Sequence, residues 1–95
     1  MKRKMTTQQF SKICSRDGIT VKVVPYPIEN PTVYELELSN PDWPDEVVFS
    51  EGWESEEELM EDFPPNEVSK EIDYILSVGH EAYIQMMYTE IYGHA

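Results

Sequence analysis

Of the 95 residues, one is cysteine, two are histidine, four are glycine, and only Lys70 among the lysines and arginines lies beyond residue 22. Each scarcity removes a class of chemistry. The lone Cys14 excludes an intramolecular disulfide and a cysteine zinc site, and it suits a reducing cytosol. His80-Glu81 has no second histidine at the spacing of an H-E-x-x-H helix, and His94 lies next to the last residue. Four scattered glycines form no phosphate-cradling loop. No apolar run approaches the roughly 18 residues of a membrane span. Met1-Lys-Arg-Lys is followed by Met5-Thr-Thr-Gln-Gln rather than an apolar segment, so no signal peptide is expected. The near absence of bases after Lys22 leaves an anionic substrate little to hold it. No enzyme, no cofactor and a cytoplasmic location are the expectations that follow.

What the chain has in excess is carboxylate. It carries 19 Asp and Glu against 7 Lys and Arg, a formal net charge of −12, alongside 40% hydrophobic and 12% aromatic residues. That apolar share supports one core, so the expectation is a single small acidic α+β domain over 1–95, with 1–5 a flexible basic tail. The charge is unevenly placed. Residues 1–22 hold six bases and Asp17, a local +5, whereas residues 23–95 hold the other 18 acids and Lys70, a local −17. A body so acidic repels nucleic acid and anionic membrane and attracts basic surfaces.

The elements are punctuated clearly. Thr6 and Gln9 are spaced as a capping box, with Met5 and Phe10 as a hydrophobic staple, which predicts a short helix over 7–16 that Asp17-Gly18 ends. Cys14 falls on its apolar stripe with Phe10 and Ile13, where a buried, inert thiol is expected. Strand patterns occupy 19–24, 32–38 and 46–50, the second alternating Tyr34, Leu36 and Leu38 against Glu35 and Glu37. The links between them are short and proline-rich, which predicts a three-stranded antiparallel meander and keeps Pro25 onward out of a central ladder. Ser55-Glu-Glu-Glu58 reads as a second capping box, Pro64-Pro65 as its helix's end, and Asn66 as the next cap. An apolar stripe then runs from Val68 to Ile91, with Gly79 kinking or breaking it between 67–78 and 80–92. The order is α-β-β-β-α-α, with an N-terminal helix and two or three C-terminal helices packed on the sheet.

Two oxygen-rich stretches, Asp42-Trp-Pro-Asp-Glu46 and Glu54–Asp62, lack the ligand spacing of a calcium loop, and no metal is expected there. The acids are better read by their spacing. Glu35 and Glu37 lie about 6.8 Å apart on one strand face. Glu57 with Glu61, and Glu58 with Asp62, are like charges one helical turn apart, which cost a few tenths of a kcal/mol each that a lysine would recover. DNA presents a charge about every 1.7 Å of axis, and separated carboxylates on regular elements can substitute for phosphates in a groove lined with Arg and Lys. The candidate contact surface is Glu35, Glu37, Asp45, Glu46, Glu51, Glu54, Glu57, Glu58, Glu61 and Asp62. Trp43 and Trp53 serve either as aromatic anchors within it or as lids on the core.

In size and charge the chain resembles the small acidic DNA-mimic proteins that phages and mobile elements use to evade host defence. Such proteins act against nucleases, restriction enzymes or CRISPR effectors. The resemblance is compositional, rests on no motif and assigns no residue. It implies an inhibitor whose partner is a basic nucleic-acid-binding protein. The alternative is an adaptor or antitoxin-like module that recognises its partner through the apolar C-terminal helix (Tyr83, Met86, Met87, Tyr88, Ile91, Tyr92), with the acids keeping it soluble. That helix is either central to the fold or a homodimer contact.

Overall fold

The computed structural model describes residues 5–92, with side chains at all of these except Tyr88, Glu90, Ile91 and Tyr92. The Lys2-Arg3-Lys4 tail, and the side chains of Tyr88, Ile91 and Tyr92 expected on the C-terminal helix, lie outside that set. The order is α1 (Thr7–Cys14), β1 (Thr20–Tyr26), β2 (Val33–Ser39), β3 (Val47–Trp53), α2 (Glu56–Asp62), α3 (Pro65–Val78) and α4 (His80–Tyr92). This is the α+β arrangement expected, with three helices after the sheet.

α1 begins where its cap dictates. The Thr6 hydroxyl accepts the Gln9 N–H at 3.1 Å, and the Gln9 side chain accepts the Thr6 N–H at 2.9 Å. Phe10 is fully buried, while Met5, the expected staple partner, stays exposed. The helix stops at Cys14, two residues early, because Arg16 and Ile19 pair across a tight turn. Its centre is Asp17 (φ 53°) and Gly18 (φ 80°), the two left-handed positions that an Asp-Gly pair tolerates.

The sheet is antiparallel in the order β1-β2-β3. Val21, Leu38 and Val47 align across one face, as do Val23, Leu36 and Phe49; Lys22, Glu37 and Val48 align on the other. β1 is an edge strand, so Pro25 and Tyr26 continue it opposite Tyr34 and Val33, two residues past the expected end. Its outer edge is covered by α1: the Ser11 hydroxyl donates to the Val21 carbonyl, and the Val21 N–H donates to Ser15 Oγ at 2.9 Å. Those groups would otherwise template another strand. β3 runs on to Trp53 through a bulge: Leu36 faces Phe49, but Tyr34 faces Trp53, with Gly52 (φ 76°) inside the extra loop.

The helices bury the first face. α1 packs on β1 and α3, α2 on β2 and β3, and α4 on α3. Leu36, Leu38, Leu59, Val68 and Ile72 are fully buried, each worth about 1.5–3 kcal/mol relative to exposure. Arg16 ties the first turn to α3, reaching Asp73 at 2.7 Å, Ser69 Oγ at 2.8 Å and Asp17 at 2.6 Å. Hydrogen bonds to Asp17 and Asp73 raise its pKa further. One expected boundary shifts, one expected cap is half made, and one open alternative is decided. Asn66 is not the cap of α3: Pro64 holds that place and Pro65 starts the helix, where its missing N–H costs nothing. Ser55 accepts the Glu58 N–H at 3.1 Å, but only this half of the second capping box is made. Gly79 (φ 92°) separates α3 from α4 rather than kinking one helix.

Candidate acidic interface

Side-chain alternation decides where the acids of β2 go. Leu36 and Leu38 point into the core, so Glu35 and Glu37 project from the opposite face, both half-buried among their strand neighbours. Asp45 and Glu46 lead into β3 and are exposed; Glu51 lies in its bulge and Glu54 follows it, both exposed. Glu57, Glu58, Glu61 and Asp62 are exposed on α2, which buries Leu59 on the core side. The ten carboxylates therefore do not form a single ridge. Glu35 and Glu37 stand on the sheet's outer face, because β2 is central with only one free face; the four on α2 belong to the helix layer, and Asp45, Glu46, Glu51 and Glu54 lie at the ends and bulge of β3.

The two tryptophans separate. Trp53 is 3% exposed, packs near Phe63, and donates its indole N–H to the Asp62 carboxylate at 3.0 Å. It belongs to the core, and its assignment to the contact surface is corrected; β3 continues to it at even spacing from Val47 and Phe49, so alternation points it inward opposite Tyr34. Trp43 is half-buried and stacks on His80, with ring centroids 4.5 Å apart and planes 18° from parallel. This joins the β2–β3 connection to the start of α4. The Nε2 of His80 is enclosed there without a hydrogen-bond partner among the described residues.

Electrostatically, cations are scarce beside the acids among the described residues. The ion pairs among the described residues are those of Arg16 and the Lys70–Glu67 contact at 3.1 Å. Glu35, Glu37, Asp45, Glu46, Glu51, Glu54, Glu58 and Glu61 form none with a described residue. Glu37 shows the consequence: burial first, then repulsion from Glu46, raise its pKa above the usual 4.5, opposed by Lys22 and helped least by Glu35. Its ionised form is thus disfavoured by folding. Glu37→Gln should raise stability at pH 7 by no more than about 0.5 kcal/mol at this partly solvated site, with a correspondingly higher thermal midpoint. That gain should shrink as pH falls through the folded-state pKa and vanish below the usual glutamate range. A gain that instead grows toward low pH in paired thermal melts would contradict this account.

Sequence reasoning passed over the neighbours of the sheet acids. Lys22, Val24 and Tyr26 share the outer face with Val33, Glu35, Glu37 and Val48, and the alternation of β1 was the available signal. Elsewhere, burial pushes the Cys14 thiol from 9.0 up to about 11, which makes it a poor nucleophile at neutral pH. No three potential metal-ligating side chains converge among the described residues, and no described helix is long and apolar enough to cross a membrane. No known family model, curated protein or solved structure matches the chain.

Proposed function

We propose that the chain is an acidic inhibitor that occupies the nucleic-acid-binding surface of a basic protein, in the manner of a DNA mimic. One observation carries the reading: of the candidate carboxylates, Glu35, Glu37, Asp45, Glu46, Glu51, Glu54, Glu58 and Glu61 form no ion pair with a described residue, although so many like charges on one small body cost stability. Carboxylates held apart on a folded frame present a basic groove with fixed charges, as phosphates do. A cytoplasmic nuclease, restriction enzyme or CRISPR effector has the complementary surface.

The test is capture from the native host at about 0.05 M and 0.5 M salt, with duplex DNA and RNA added as competitors. Nucleic-acid-binding proteins that elute with salt or with competitor are the expected result, since counter-charge attraction weakens as the Debye length contracts. Capture indifferent to both would refute the proposal. A second reading has its own observation: Tyr74, Val78 and Met86 are exposed apolar side chains on α3 and α4, with the Tyr74 hydroxyl 3.5 Å from the Met86 sulfur. These suit an adaptor that binds through its C-terminal helices, and salt-indifferent capture would favour it.

A further inference from the structure

We infer that the uncovered face of the sheet is the docking face for an arginine-bearing extended segment of the basic partner, seated on Glu35 and Glu37; this rests on the inhibitor reading and names the chemistry it recognises. The first support is architectural. The helices are accounted for on the core side and along the outer edge of β1, and no residue on the outer face is buried. An antiparallel sheet can leave one face in water, and that face is then mostly polar. This one is not wholly polar.

Its rows read Lys22–Glu37–Val48, then Val24–Glu35, then Tyr26–Val33. Two carboxylates therefore sit in the middle strand with aliphatic side chains beside them and an aromatic ring at one end. Tyr26 is 59% exposed and Val48 37%, whereas the carboxylates between are half-buried. Partial burial is what separates these two acids from those of α2, which are exposed.

That mixture selects the occupant. A guanidinium is planar, weakly hydrated and bidentate toward a carboxylate, and it stacks on aromatic rings. Its aliphatic stem suits the valines. An ammonium is more strongly hydrated and would give up more on entering a half-dry site. Lys22 sits across from Glu37 yet forms no ion pair with it, so the carboxylate keeps its acceptor positions for a group from outside. Other occupants fit worse. A second copy docked by the same face about a two-fold axis would set Glu35 and Glu37 against their own equivalents, and nucleic acid or an anionic membrane would be repelled.

The experiment is a titration of the full, isotope-labelled chain with nona-arginine and, separately, nona-lysine, read from backbone amide NMR shifts. Shifts centred on residues 22–26, 33–37 and 48, with nona-arginine the tighter ligand, are expected. Tyr26→Ala should then weaken nona-arginine by about two- to five-fold, the range of one exposed cation–π contact, and leave nona-lysine less affected. Tyr26 is exposed at a strand end, so an unchanged amide spectrum of the free variant verifies its fold. Shifts confined to 56–62 would overturn this docking face while leaving the inhibitor reading standing. Equal affinity for the two peptides with Tyr26→Ala silent would also overturn it. Binding of neither peptide anywhere on the chain would count against both.

Discussion

Phe10→Ala is expected to lower the stability of the fold by about 3–5 kcal/mol, the usual cost of removing a fully buried phenylalanine. Domains of this size have about 5–15 kcal/mol in total, so the thermal midpoint should fall by on the order of 15–30 °C. The loss has two physical parts. Phe10 is 0% exposed, so its ring's transfer from water is forfeited and a cavity is left between α1 and the sheet. α1 also holds Ser11 and Ser15 against the edge of β1, and weakening its docking releases the Val21 N–H and carbonyl to pair with other chains. Increased aggregation should accompany the lower midpoint. Ile13→Ala supplies the contrast: Ile13 lies on the same predicted stripe but is 58% exposed, and its change should stay within about 0.5 kcal/mol. Urea and thermal unfolding of the two variants check this directly, and comparable losses in both would mean that α1 is not seated as described.

That pair also shows how far the sequence was legible. Features set within a few residues were read correctly: the Thr6–Gln9 box, the Asp17-Gly18 turn, and Gly79 as an interruption whose form was left open. Periodicity placed Phe10, Ile13 and Cys14 on one stripe, but it could not say that the sheet and α3 would leave Ile13 outside, because that depends on how wide a contact the partners make. The same limit explains the strand ends. Pro25 looked like a terminator, and only the knowledge that β1 is an edge, with its N–H side turned away from β2, allows it to continue. Trp53 was left between two readings for a related reason. The third strand was expected to end at Ser50, but β3 runs on to Trp53, and the even spacing from Val47 and Phe49 then turns its side chain to the core. For the acids, residue identities and spacing were visible, whereas the separation of Glu35 and Glu37 from the acids of α2 followed from the sheet's topology.

The double change Glu58→Lys, Glu61→Lys should reduce affinity for the basic partner by about ten- to a hundred-fold at low salt. Exposed ion pairs contribute about 0.2–1 kcal/mol each, and reversal both removes the attraction and adds a repulsion, so two sites reach about 1–3 kcal/mol. The effect should narrow steadily as salt is raised, since the Debye length shrinks from about 10 Å at 0.1 M to about 3 Å at 1 M. Loss of folding would not explain such a result. Both residues are exposed, and Leu59 carries the burial of α2. Lysine at position 58 near the helix start opposes the dipole, whereas lysine at 61 follows Glu57 by one turn in the favourable order, so the two local effects largely offset. Unfolding curves should therefore nearly superimpose while binding differs. If the partner instead reads the apolar strip of α3 and α4, the double reversal will leave affinity unchanged and Met86→Ser, at a residue 41% exposed, will reduce it at every salt concentration. The two readings thus differ in which variant fails and in whether salt restores parity: a charge-built surface loses its advantage in salt, and an apolar one does not.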